Sequence, residues 1–122
     1  MKFIGSLPDF PFSDAVIRNG RVLETVLTGI PPGESKPVSG GAANEMAEIF
    51  RQLDLILAEA GLGKENLCSA SVYLQHVNRD VDEMNRVWQE YLVDHPLSRR
   101  CFGVELQAGM LVEAAFVAEF PD

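Results

Sequence analysis

Asn19-Gly20 sits between two runs rich in strand formers, Ala15–Arg18 and Arg21–Thr28. Both residues tolerate the positive φ angles of a tight two-residue turn, so the dipeptide commits this part of the chain to an antiparallel hairpin. The segments after it must build on that ribbon. Residues 1–12 hold Pro8 and Pro11 around Phe10 and Phe12 and read as an irregular arm. Residues 30–41 contain Pro31, Pro32, Pro37, Gly33, Gly40 and Gly41 and read as a loop.

Between Ala42 and Ala60, Met46, Ile49, Phe50, Leu53, Ile56 and Leu57 recur at three- and four-residue spacing, the pattern of a helix with one apolar stripe. Gly61 suits a left-handed C-terminal cap. Leu67–Leu74 then alternates as a strand. Asp80 and Glu83 have capping-box spacing ahead of a second apolar stripe, made of Val81, Met84, Val87, Trp88, Tyr91 and Leu92, and Pro96 closes it. Ser98–Leu106 and Met110–Phe120 read as two last strands joined at Gln107-Ala108-Gly109. The expected order is β-β-α-β-α-β-β. It implies one α+β domain over residues 1–122: a mixed sheet with both helices on one face. The other face needs cover, and a second copy of the chain would supply it.

Composition narrows the function classes. The chain carries 18 acidic and 10 basic residues, a net charge of −8, and Arg99-Arg100 is its one adjacent pair of basic residues. Nucleic acid is a poor partner for such a surface, because binding it requires clustered cations that displace counterions. No apolar run approaches the roughly 20 residues of a membrane-spanning helix. No apolar leader follows Met1, so a cytoplasmic protein is expected. Cys68 and Cys101 lack CxxC spacing, and the two fit reduced thiols better than a disulfide. The two histidines, His76 and His95, show no metal-ligand spacing, and no phosphate-binding glycine motif occurs.

Two positions could carry chemistry. Arg99 and Arg100 are successive strand residues and must point to opposite faces. One can enter a pocket, where its planar fork suits a carboxylate, although a pair of surface charges fits the sequence as well. Glu113 stands among apolar neighbours in LVEAAFVA. Alternation groups it with Ala115 and Val117, leaving room for water beside a small residue; a solvated edge glutamate is the plainer alternative. Cys101 shares a strand face with Arg99, but no motif links it to a histidine base.

At these positions the sequence resembles a known family. HPLSRRC at 95–101 is similar to the HPPARSC signature of the Rid (YjgF-type) proteins, and LVEAAFVA at 111–118 to their IEIEAIA strand. PFSDAV at 11–16, TGIP at 28–31, AEAGLG at 58–63, SASVYL at 69–74 and MNRVWQEY at 84–91 follow in the same order, so the likeness spans nearly the whole chain. It implies a chorismate-mutase-like fold, a homotrimer with clefts between subunits, and cofactor-free hydrolysis of 2-imino or 2-enamino acids to 2-keto acids and ammonia. By position, Arg99 would hold the substrate carboxylate and Glu113 would position the attacking water. Cys101, Asn85, Thr28, Gly29 and Phe12 would line the pocket. Phe12 stands where the family has tyrosine, Thr28 where it has serine, and Ala115 where it has a second glutamate. Those departures point to an altered pocket. A non-catalytic module binding small carboxylates or another protein is the alternative. Either way, Arg99 and Glu113 are expected to open into one intersubunit cleft.

Overall fold

The computed structural model describes residues 1–5 and 10–122. Six strands and two helices follow in the order β1 Lys2–Ile4, β2 Ala15–Arg18, β3 Val22–Thr28, α1 Ala42–Glu59, β4 Leu67–Leu74, α2 Val77–Tyr91, β5 Ser98–Gly103 and β6 Val112–Glu119, with one 3-10 turn at Lys64–Asn66 before β4. The sheet order is β1-β2-β3-β6-β4-β5. Every pairing is antiparallel except β4 with β5. That parallel pair is joined by α2, the crossover such a connection requires.

The hairpin forms as expected. Asn19 and Gly20 take φ of 55° and 64°, and the Arg21 amide donates to the Arg18 carbonyl at 2.9 Å. The long helix ends at its glycine: Gly61 has φ 76°, its N–H donates to Ala58 at 3.0 Å, and the Leu62 N–H donates to Leu57 at 2.8 Å. This is the Schellman arrangement, which satisfies carbonyls the helix end would leave open.

Both helices lie on one sheet face. Met46, Ile49, Phe50, Leu53 and Leu57 of α1 are buried with Met84 of α2 against Leu23, Leu27, Val72, Leu74, Val112 and Phe116 of the sheet. Phe50 joins the two helices, stacking on Tyr91 at 4.0 Å between ring centres and meeting Trp88 edge-on at 5.5 Å, and reaches Phe116 of the sheet at 6.1 Å. No helix among the described residues is long and apolar enough to cross a membrane. Among the described residues no helix lies on the opposite sheet face, which leaves Phe3, Val26 and Phe102 more than half exposed.

Four expectations need correction. Part of the amino-terminal arm is a strand: β1 pairs with β2, Phe3 opposite Val16, which adds one strand to the expected order; Pro8 lies outside the described residues. The second helix starts at Val77 rather than after Asp80, since the Arg79 and Asp80 amides already donate to the His76 carbonyl. Asp80 is no cap but a buried residue of the first turn, held by Arg79 Nε at 2.8 Å and Nη2 at 2.9 Å. The last two strands are shorter than expected and are not neighbours, because β4 lies between them. Cys68 and Cys101 are both free thiols.

Candidate active site

Strand alternation on β5 sends Arg99 and Cys101 toward the helices and Arg100 and Phe102 to the uncovered face. The Arg99 guanidinium lies over the Trp88 indole, 4.8 Å from the ring centre, with Nη1 at 3.7 Å from Met84 Sδ. Trp88 is fixed in turn by stacking on Phe116 at 6.0 Å. Arg99 is half-buried yet has no acidic partner among the described residues. Cys101 follows on the same face, and burial pushes its thiol above the usual range, with Arg99 pulling the other way. A protonated thiol is a weak nucleophile. Asn85 is the half-buried residue after Met84 on α2.

Glu113 occupies the uncovered face. On β6 it pairs with Thr28 of β3 on one side and Tyr73 of β4 on the other, and Tyr73 pairs onward with Phe102. These four side chains form one row across the sheet. A groove of about 680 Å³ runs past Glu113, lined by Phe12, Asp14, Thr28, Met110 and Ala115 among others. Ala115 leaves open the space beside the carboxylate. The turn before β6 bounds a smaller hollow that also reaches Glu113, Tyr73 and Gln107. That turn holds Ala108 at φ 55° and Gly109 at φ 73°, closed by the Met110 amide on the Gln107 carbonyl at 2.9 Å. Ala108 has a Cβ in a region that glycine favours.

Thr28 and Gly29 are held from α1. Gln52 Nε2 donates to the carbonyls of Thr28 at 3.2 Å and Ile30 at 3.0 Å, while Thr28 Oγ1 accepts from the Ile30 amide at 3.3 Å. Glu45, 2% exposed, accepts at Oε1 from the amides of Leu111 at 2.8 Å and Val112 at 3.4 Å. Burial raises its carboxyl above the ordinary range, the two amides oppose that, and Asp80 adds to it. A Cβ on Gly29 would lie 2.7 Å from Glu45 Cβ, so only glycine fits there. Glu45 is not among the residues the sequence pointed to; the signal it left there is a charge on the apolar stripe of α1, three residues after Ala42 and four before Ile49.

Within one copy the expected site residues fall into two groups. Phe12, Thr28 and Glu113 line the groove on the uncovered face. Arg99 and Cys101 face the helices. Inside a single copy Arg99 and Glu113 do not meet, since β4 separates their strands and alternation turns them to opposite faces. No group of three or more His, Cys, Asp or Glu side chains placed to hold a metal occurs among the described residues.

The sequence profile described as endoribonuclease L-PSP matches residues 6–120. The chain belongs to this family, the Rid or YjgF proteins. It is 33% identical over 115 residues to a RutC family protein of Aquifex aeolicus, covering 92% of this chain and 90% of that one. It is 28% identical over 109 residues to a human protein named 2-iminobutanoate/2-iminopropanoate deaminase, covering 88% of this chain and 79% of that one. The fold of this Rid protein superposes on that of a Yersinia pestis member of the conserved Rid family with a TM-score of 0.84 at 22% identity, covering 96% and 93% of the two chains.

Proposed function

We propose that this Rid protein hydrolyses 2-imino or 2-enamino acids to 2-keto acids and ammonia, at sites completed between copies of a homotrimer. The observation that carries the reading is Arg99: a half-buried guanidinium braced by Trp88 and Met84, with no acid partner among the described residues. A planar cation so placed is suited to a substrate carboxylate. The deaminase name of the human relative supports the same chemistry.

An imine carbon is already electrophilic, so catalysis needs little beyond holding the acid group and aiming a water. Glu113 accepts a proton from that water as its oxygen bonds to the imine carbon and the nitrogen takes up a proton. The C–N bond of the carbinolamine then breaks as a C=O bond forms; the hydroxyl proton passes to the nitrogen, which leaves as ammonia, and the 2-keto acid remains. Water supplies the oxygen and no redox change occurs, so no cofactor is called for. Because Arg99 and Glu113 face opposite sides within one copy, the acid grip and the water come from different subunits. Phe12, Thr28, Gly29, Asn85 and Cys101 shape the remaining wall.

The test is turnover of 2-iminopropanoate generated in solution. Replacing Arg99 with Ala should raise KM and lower kcat/KM by about a hundredfold or more, the scale of losing a charged hydrogen-bond pair. Wild-type kinetics in that variant would remove Arg99 from the site.

The separation of Arg99 from Glu113 in one copy, with Phe12 in place of a hydroxyl-bearing residue, favours a second reading: a non-catalytic module binding small carboxylates. Calorimetry with 2-keto acids beside the turnover assay decides between them, because binding without turnover selects the module. Hydrolysis of RNA fits poorly with a net charge of −8 and a groove bearing Asp14, Glu24 and Glu113.

A further inference from the structure

We infer that Glu45 is a positioning residue, fixing the backbone that carries Glu113 against the Thr28-Gly29 end of β3; this rests on the role proposed for Glu113. The ladder between β3 and β6 ends at the Thr28–Glu113 pair. Beyond it β3 turns away at Gly29, and the Leu111 and Val112 amides have no further β3 residue to pair with. Glu45 reaches over from the first turn of α1 and accepts from both. It takes the place of the missing strand, where unpaired buried amides would otherwise be costly.

Glu45 can reach that point because residue 29 is glycine. A side chain there would collide with its Cβ and Cγ, each 2.7 Å from the added atom. One carboxylate therefore ties together the end of β3, the start of β6 and the start of α1. Glu113 follows Val112 directly, so a shift of the Val112 backbone moves the catalytic carboxylate with it. Glu45 has no ion-pair partner among the described residues, and the charged group facing it is Asp80 of α2, a like charge. Its work needs an acceptor oxygen at that position rather than a negative charge.

Glu45→Met keeps the length and removes the acceptor; Glu45→Gln keeps an oxygen and removes the charge. With 2-iminopropanoate, Glu45→Met should lower kcat about tenfold or more while KM stays within about twofold, since Arg99 is untouched. Glu45→Gln should keep kcat within about threefold of wild type. Wild-type kcat in Glu45→Met, or an equal loss in both variants, overturns the assignment. Amide hydrogen exchange gives a readout independent of turnover: Leu111 and Val112 should exchange at least about tenfold faster in Glu45→Met and at the wild-type rate in Glu45→Gln. Unchanged exchange in Glu45→Met refutes the clamp whatever the activity. A wild-type protein without turnover that shows the expected exchange pattern refutes the deaminase reading and leaves the clamp standing. If Glu45→Met does not fold, Glu45→Gln decides: lost kcat or faster exchange there overturns the proposal.

Discussion

The guanidinium carbon of Arg99 lies 4.8 Å from the centre of the Trp88 ring, and Trp88 stacks on Phe116 behind it. The indole both orients the cation and anchors it to the core. Trp88→Phe keeps an aromatic ring but weakens the cation–π attraction, which is worth about 0.5–2 kcal/mol. KM for 2-iminopropanoate, or the Kd for a 2-keto acid, should rise roughly three- to tenfold with kcat less affected. An unchanged Kd would show that Trp88 does not hold Arg99 in place.

Val26 lies in the middle of the uncovered sheet face and is 59% exposed. If that face is covered by further copies, a charge there must be desolvated on assembly. Sedimentation of the wild-type chain should give three times the mass of one copy, and Val26→Lys should sediment as a single copy. A wild-type monomer would remove the intersubunit site.

Two buried acids should pull stability in opposite directions with pH. The Arg79 hydrogen bonds hold the Asp80 carboxyl below its usual range. Its stabilisation is therefore present above the unfolded pKa of about 3.9 and is lost as pH falls through the lower folded value. Burial holds Glu45 above its usual range, so its contribution is present below the unfolded pKa of about 4.3 and is lost as pH rises through the folded value. Thermal melts between pH 3 and pH 8 should show Asp80→Asn below wild type at neutral pH and converging with it in acid. Glu45→Gln should melt a few degrees above wild type at neutral pH and lose that margin in acid. Parallel pH profiles for all three proteins would contradict both assignments.

Ala108 carries a left-handed backbone at a turn position that glycine occupies without strain. Ala108→Gly should stabilise the protein by about 0.5–1 kcal/mol in urea unfolding, with m unchanged. A loss of stability would mean the Ala108 methyl makes contacts that outweigh its backbone strain.

Local features were legible in the sequence because their causes are local. Asn19-Gly20 encodes its own turn, the stripe from Met46 to Leu57 encodes one face of α1, and alternation along β6 places Glu113 with Ala115 and Val117 before any partner is known. β1 leaves no sequence signal because Lys2–Ile4 is too short to show a period. The Asp80–Glu83 spacing does not mark the start of α2 because Arg79 takes up the Asp80 oxygens that a cap would use. The separation of Arg99 from Glu113 depends on β6 inserting between β3 and β4, a pairing of distant segments that no window of sequence contains. Glu45 stood in plain view on an apolar stripe, but the amides it serves lie 66 and 67 positions away.

Because Arg99 and Arg100 alternate on an edge strand, their identities depend on a count. Removing one residue from the connection between Pro96 and Arg99 while β5 kept its pairing would bring Arg100 over the indole and turn Phe102 into the core. Adding one residue there would set Ser98 against Trp88 and bring Arg100 to the inward position that Cys101 holds, away from the indole. The length of that short connection is thus under as tight a constraint as any side chain in the pocket.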